Sequence, residues 1–311
     1  MSATFIGIDN ENEFFTQHYL AAILAGDLKA QLASWREAAA RADSTDGPGR
    51  TPPRALGLLH TDFFRARERS ARIKAPALRV EAHRELWSGI LHVLGYTPQR
   101  TAAPIDDHHL PLLASVDRAD GAPLLWVLPV AGAADDERPT LSRPLLHAQL
   151  DDVPHGLAEA PRSLPEGTVE DLVTAAFSLD EPPRFLLVCG ETDLYLLERA
   201  KWAEQRLLRI DLEEVLGRRS ADTLDVVAAL LHRDCLAPDA GRPLLDTLDD
   251  NSHKHAFEVS EDLKYALQAS IERLGNEAIS QLRDLQRSQK RKMTGANEAD
   301  QLSRECLRYM Y

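Results

Sequence analysis

The stretch that decides the fold is Phe185-Leu-Leu-Val-Cys-Gly-Glu-Thr-Asp-Leu-Tyr-Leu-Leu197. Two short apolar runs, residues 185–189 and 194–197, flank the polar turn Gly190-Glu-Thr-Asp193. Apolar runs of this length around a glycine-containing turn predict the two strands of a β-hairpin. Residues 207–212 form another apolar run and predict a further strand.

A second hairpin is predicted upstream of the first. Residues 110–116 and 124–130 are apolar runs, and the segment between them contains Asp120-Gly121, a dipeptide typical of hairpin turns. Helices are predicted on either side of the 185–197 hairpin, at residues 169–177 and 223–235. Thr168 is a suitable N-cap for the first of these helices. Strands interleaved with helices predict an α/β fold.

The ends of the chain have a helical pattern. Residues 1–45 predict a helical lead, and the Pro/Gly-rich segment 43–53 predicts a linker. A helix over 82–94 is expected to end at Gly95. From an N-cap at Ser260, apolar residues recur at helical spacing, at Leu263, Leu267, Ile271, Leu274, Ala278, Leu282 and Leu285. The expected organisation is a helical lead at 1–45, an α/β domain at 54–245 and a helical segment at 256–311.

Charge is distributed unevenly along a chain whose net charge is −13. Residues 54–84 contain eight basic and three acidic residues, whereas residues 101–183 contain four basic and fifteen acidic residues. A net charge of −13 argues against a freestanding DNA-binding protein, but basic patches flank the acidic middle.

Cysteine content and hydropathy predict the compartment. Three cysteines occur without a CxxC pair, at Cys189, Cys235 and Cys306, which favours a reducing cytoplasm and argues against structural zinc or a disulfide framework. The first fifteen residues lack a secretory pattern, and no apolar run is long enough for a membrane span. We therefore expect a cytoplasmic protein with no membrane partner.

Two stretches carry a family resemblance. The first stretch is Asn251-Ser-His-Lys-His-Ala-Phe-Glu-Val-Ser-Glu-Asp-Leu-Lys-Tyr-Ala-Leu267, with Leu274-Gly-Asn-Glu277 and Leu302-Ser-Arg-Glu-Cys-Leu-Arg-Tyr-Met-Tyr311. It resembles the helical region before the catalytic domain of long adenine-specific DNA methyltransferases. The second stretch runs from Pro183-Arg-Phe-Leu-Leu-Val-Cys-Gly190 through Glu198-Arg-Ala-Lys-Trp202 and includes Leu208-Arg-Ile-Asp-Leu-Glu-Glu214. It resembles the strand-rich region that precedes this helical region. These enzymes are type IIG-like restriction-modification and phage-defence methyltransferases.

The resemblance implies a PD-(D/E)xK nuclease-like mixed sheet in this part of the chain. An active nuclease of that type holds Mg²⁺ with an Asp and a second acid, and uses a nearby Lys to position water. The candidate for the first acid is Asp106 or Asp107. Glu198 and Lys201 are the nearest substitute for the second acid and the lysine. Residues 124–130 have no acid or lysine, and Glu198 and Lys201 are expected on opposite faces of one strand. A degenerate fold is therefore favoured over a Mg²⁺-dependent endonuclease.

The methyltransferase motifs themselves are missing from the sequence. The parent family binds S-adenosylmethionine through a Gly-rich turn and holds the flipped adenine with Asn-Pro-Pro-aromatic. None of the five asparagines precedes Pro-Pro, and the only close glycine pair, Gly47 and Gly49, lies in the predicted linker. We expect no cofactor in this chain, and a catalytic domain supplied in cis or in trans. The uncapped apolar helix at the last residues predicts truncation.

Basic residues near the C-terminus are the candidate DNA contacts: Arg283, Arg287, Lys290, Arg291 and Lys292. Such a cluster could bind phosphates, or it could be a solvated helix end. The upstream stretch Arg65 to Lys74 favours a solvated helix face.

The motif Asp106-Asp107-His108-His109 favours a polar strand entry over a metal site, and no metal is expected. A protein-interaction module that uses the acidic middle remains an alternative to DNA binding.

Overall fold

The computed structural model describes residues 5–42, 49–134, 136–155 and 163–289. The chain divides into two units, Met1–Ser252 and His253–Tyr311. The strands are β1 Ile8–Glu11, β2 Thr101–Ile105, β3 His108–Leu112, β4 Ala114–Asp117, β5 Pro123–Pro129, β6 Phe185–Cys189, β7 Asp193–Glu198 and β8 Leu207–Asp211.

The described helices, in chain order, are α1 Leu24–Asp27, α2 Lys29–Ala42, α3 Pro52–Leu58, α4 His60–Ala71, α5 Pro76–Val93, α6 Val169–Phe177, α7 Arg199–Trp202, α8 Leu212–Arg218, α9 Ala221–Leu231, α10 Arg233–Leu236 and α11 Leu244–Gln289. A π-helical turn covers Tyr19–Ile23, and 3₁₀ turns cover Thr140–Ser142 and His147–Asp152.

A mixed six-stranded sheet is the framework of the first unit, with the strand order β1-β8-β7-β6-β5-β4. Strands β5 and β6 are parallel, and every other neighbouring pair in this sheet is antiparallel. Because parallel strands need a long crossover, residues 130–184 run from the end of β5 to the start of β6 and include α6. Strands β2 and β3 form a separate antiparallel pair.

Both faces of the central strands are buried. On one face, residues such as Val127 and Leu187 belong to a large core that includes Trp87 of α5 and most of α9. On the other face, Trp126 and Leu186 belong to a second core with α6 and the β2–β3 pair. Strands buried on both faces have nearly continuous apolar sequences, which explains the pattern of residues 185–197.

The α/β fold expected from the sequence is confirmed. The hairpin at residues 185–197 is present as β6 and β7. The helix expected at 169–177 is α6, and the Thr168 side chain accepts a hydrogen bond from the Asp171 amide while the Asp171 carboxylate accepts one from the Thr168 amide. The Thr168 hydroxyl also donates to the Asp171 carboxylate over 2.6 Å, and the hydrogen bonds from this hydroxyl and from the Thr168 amide lower the pKa of Asp171.

Three local predictions differ from the structure. The single strand expected at 110–116 is two strands, because its first half pairs with β2 and its second half pairs with β5. The helical lead contains strand β1, which pairs with β8 at the edge of the sheet. Ser260 does not begin a helix, because α11 already starts at Leu244 and the Ser260 hydroxyl donates to the carbonyl of Ala256 within it.

The described part of the second unit is helical and belongs to α11. Over residues 253–289 this helix carries exposed apolar side chains, namely Phe257, Leu263, Tyr265, Leu267 and Leu274. The helix expected at residues 301–311 lies outside the described residues. Among the described residues, no helix has the length and apolar character needed to cross a membrane.

Substitution of Leu187 by Ala tests the two-sided burial of the sheet. Leu187 lies fully buried at the centre of β6 between Val127 and Leu196. We expect Leu187→Ala to lower the free energy of unfolding by about 2–5 kcal/mol in urea titrations, because it leaves a cavity. The exposed Leu58 is the matched control, and Leu58→Ala should change stability by only about 0.5 kcal/mol. Equal effects of the two substitutions would contradict the fold.

Candidate functional site

The parallel strands β5 and β6 end side by side, and the segments that follow them form the candidate site. The amide of Val130, directly after β5, donates to the carbonyl of Cys189 at the end of β6 over 2.8 Å. Gly132 lies in the segment that follows β5, and Gly190 and Glu191 directly follow β6. The carboxyl ends of parallel strands are where open α/β sheets place their ligand sites.

Arg79 from α5 connects the two strand ends. Its Nε donates to the Gly132 carbonyl over 2.8 Å, and its Nη2 donates to Glu191 Oε1 over 3.2 Å. Glu191 Oε1 also accepts from the Gly132 amide over 2.7 Å. Nη1 donates to the carbonyls of Ser70 and Ile73. The guanidinium is buried and is held in one orientation by these four hydrogen bonds.

Two further side chains of α5 bind the Gly190 carbonyl. The Trp87 indole donates to it over 2.8 Å, and the His83 Nε2 lies 2.9 Å from it. Burial lowers the pKa of His83, although the nearby Glu191 carboxylate acts in the opposite direction. His83 is therefore neutral at pH 7, and Nε2 is the nitrogen that carries the proton donated to Gly190.

Gly190 is a position where only glycine fits. A Cβ there would lie 2.1 Å from Asp193 Oδ1 and 2.4 Å from Thr140 Oγ1. Asp193 is buried and accepts hydrogen bonds from the hydroxyls of Thr140 and Tyr195, both over 2.8 Å. The adjacent Arg209 Nε donates to the same carboxylate over 3.3 Å. The turn after β6 is therefore fixed by buried polar contacts on both sides.

An open cavity of about 500 Å³ adjoins this network, and it is lined by Lys74, Pro76, Arg79, Ala133, Ala134, Asp136 and Arg138. The Arg138 guanidinium binds Asp136 through two bonds of 2.9 and 2.8 Å, and this pairing lowers the pKa of Asp136 to about 2. Lys74 is exposed and has no acidic partner among the described residues. Arginine and lysine donors dominate the lining, so the cavity has the chemistry of an anion site.

The nuclease candidates Asp106 and Asp107 are placed in the turn between β2 and β3. Ile105 pairs with His108, so the two aspartates form the two-residue connection, and Asp106 has a φ of 48°. Both side chains are exposed. They thus belong to the two-stranded sheet and not to the six-stranded one.

Glu198 and Lys201 lie at the opposite end of the β6–β7 hairpin from the cavity. Lys201 lies in α7 and not on the strand, so its Nζ and Glu198 Oε2 are only 3.8 Å apart. Glu198 accepts from Arg184 over 2.8 Å, and Lys201 Nζ binds Asp249 of α11 over 2.5 Å and the Phe14 carbonyl over 3.0 Å. Both side chains are buried and fully engaged in contacts that tie the first turns of α11 to the sheet.

The candidate DNA contacts are partly described. Arg283 lies on α11 with an exposed side chain, and Arg287 lies within the same helix. Lys290, Arg291 and Lys292 lie outside the described residues. In the upstream basic stretch, Arg65, Arg67 and Arg69 pair with carboxylates within 4 Å, which are those of Asp62, Glu213 and Glu85. These pairs reduce the positive charge that the upstream stretch presents to a ligand.

Comparison of the chain with protein-family models, curated proteins and solved structures finds no match. Over the described residues, no group of three or more His, Cys, Asp or Glu side chains is arranged for a metal ion. The site is thus defined by its own geometry.

Sequence reasoning did not identify the cavity, because its residues come from segments separated by about sixty positions. Arg79 belongs to the basic stretch at residues 54–84, but nothing in the sequence distinguishes it from the exposed basic residues around it. The detectable signal was a glycine within two residues of the end of each of two apolar runs, Gly132 after 124–130 and Gly190 after 185–189, which marks close approach of the backbone to other groups.

The neutral, buried His83 predicts a pH dependence of stability. Because burial lowers the pKa of His83 in the folded chain, the unfolded chain takes up a proton at His83 at a higher pH than the folded chain does, so stability should fall as the pH decreases below about 6.5. We expect His83→Gln to make the slope shallower in urea titrations, whereas substitution of the exposed His92 should not. An unchanged slope in His83→Gln would contradict a neutral His83.

Proposed function

We propose that this chain is the DNA-engaging scaffold portion of a site-specific adenine DNA methyltransferase of a restriction-modification or phage-defence system, and that it is not itself catalytic. The observation that carries the proposal is the engagement of Glu198 and Lys201 in buried ion pairs with Arg184 and Asp249. Residues that a nuclease would need for water and metal serve here to fasten α11 to the sheet.

The sheet is proposed to be a degenerate form of the PD-(D/E)xK nuclease fold. Support comes from the element order, in which α5 precedes the strands and α6 lies in the crossover between the parallel strands β5 and β6. Strand β5 reads Pro-Leu-Leu-Trp-Val-Leu-Pro, and six of its seven residues are buried. A strand without an acid or a lysine cannot supply the second half of the nuclease motif.

Two features support a role next to a catalytic domain. The segments that resemble the methyltransferase family include β6, β7 and the described part of α11 from Asn251 onward. The sequence lacks the S-adenosylmethionine and adenine motifs, so methyl transfer requires a domain supplied in cis or in trans. The exposed Arg283 and the neighbouring Arg287 are the proposed DNA contacts on α11.

Salt-dependent DNA binding tests this proposal. Binding of a fluorescein-labelled duplex by the full chain should weaken linearly in a plot of log affinity against log salt concentration. We expect Arg283→Ala combined with Arg287→Ala to reduce the slope by about 2, because each phosphate contact contributes roughly 0.9.

The matched control combines Arg54→Ala with Arg118→Ala, which removes two exposed cations elsewhere in the chain. The control should leave the slope within about 0.5 of the parent value. The absence of DNA binding, or an equal effect in both double variants, would contradict the DNA contact and favour a protein-interaction module. Mg²⁺-dependent cleavage of the duplex, lost in Glu198→Gln, would favour the endonuclease alternative.

A further inference from the structure

We propose that the cavity beside the carboxyl ends of β5 and β6 binds a phosphate group, carried by a DNA backbone or by a small phosphorylated ligand. This cavity, lined by Lys74, Arg79 and Arg138, is called the arginine cavity below. The inference goes beyond the proposed function and does not depend on it, since the DNA contacts proposed above lie on α11.

The local charge favours an anion. Three cationic side chains line the cavity, Lys74, Arg79 and Arg138, whereas the described carboxylates are Asp136 in the lining and Glu191, which binds Arg79. Arg143 lies next to this lining, because its Nε donates to the Arg138 carbonyl over 2.6 Å. Its guanidinium also lies against Gly132, where a Cβ would be 2.6 Å from Nη1.

Some of these cations have donors that the described residues do not use. Lys74 has three N–H groups and no described acceptor. Arg143 Nη1 is buried, and it has no hydrogen-bond partner in the described part of the chain. A buried charged donor without an acceptor costs more free energy than an exposed one, so the uncompensated charge of Arg143 adds to the attraction of the cavity for an oxygen anion. A phosphate offers three or four such oxygens in one group.

The fixed groups of the cavity are oriented before any ligand arrives. Four hydrogen bonds hold Arg79, and two bonds to Asp136 hold Arg138. Little side-chain entropy is then lost on binding, which raises affinity for a given set of contacts. Pro76, the first residue of the 18-residue helix α5, lines the same cavity, so the positive end of that helix adds to the attraction for an anion.

The composition of the cavity selects phosphate over other ligands. Its donors are cationic, so a metal ion is repelled. Guanidinium groups match the geometry of phosphate oxygens and can bind two of them at once. The volume of about 500 Å³ and the open mouth leave room for the rest of a ligand, whether a nucleotide or a DNA strand.

Titration of pyrophosphate into the full chain, in magnesium-free buffer at low ionic strength, tests the site. Lys74→Ala and Arg138→Ala should each weaken binding by about tenfold, the effect expected for one lost hydrogen bond to a charged group. Arg54→Ala and Arg118→Ala, which also remove exposed arginines, should change it by less than about twofold. The unfolding midpoint in urea checks that all four variants remain folded.

Competition with a fluorescein-labelled DNA duplex identifies the source of the phosphate. If Lys74→Ala weakens both pyrophosphate and duplex binding, and pyrophosphate displaces the duplex, the site binds a DNA phosphate. If only pyrophosphate binding is weakened, the site takes a small phosphorylated ligand. No pyrophosphate binding by the parent chain, or equal losses in site and control variants, would overturn the proposal. Because pyrophosphate is measured without DNA, loss of DNA binding through Arg283 and Arg287 leaves this test unaffected.

Discussion

Strands β5, β6 and β7 are covered on both faces, and this burial determines where polar chemistry can occur in the fold. The side chains of β6 from Phe185 to Cys189 are fully buried, and each face contributes to a separate apolar core. A charged group in the middle of such a strand would lose its hydration without a partner, at a cost of several kcal/mol. Charged residues are therefore found at the ends of these strands.

The two ends of the β6–β7 hairpin differ in how their charges are used. At the start of β6, Arg184, Glu198 and Lys201 satisfy one another and the acids of α11, so no charge is left for a ligand. At the end of β6, Arg79 holds two turns in place. Two neighbouring donor groups, the Lys74 ammonium and Arg143 Nη1, have no acceptor among the described residues. The charges at the start of β6 stabilise the packing of α11 on the sheet, whereas those at the end of β6 have the properties of a binding site.

Burial also explains how much the sequence could reveal. Continuous apolar runs made β6, β7 and β8 predictable, and the Thr168 cap made α6 predictable, because these signals are local. Strand β2 was missed because Ala102, Ala103 and Pro104 carry no strand signal, and its pairing with β3 is a tertiary choice.

The functional predictions depended on contacts that are distant in sequence. Glu198 and Lys201 were expected on opposite faces of one strand, but the chain enters α7 at Arg199 and brings the two side chains together. Asp249, which completes the ion pair with Lys201, lies 48 residues away. Arg79 is 53 residues from Gly132 and 112 from Glu191, so no sequence window contained the site.

The measurement that tests the account most directly is a double-mutant cycle between Lys201 and Asp249. Free energies of unfolding are compared for the parent chain, Lys201→Met, Asp249→Asn and the double variant. If these residues fasten α11 to the sheet, each single substitution is destabilising and the coupling energy is about 1–3 kcal/mol. A coupling energy near zero, with DNA cleavage in Mg²⁺ that is lost in Lys201→Met, would contradict the structural role and point to a nuclease.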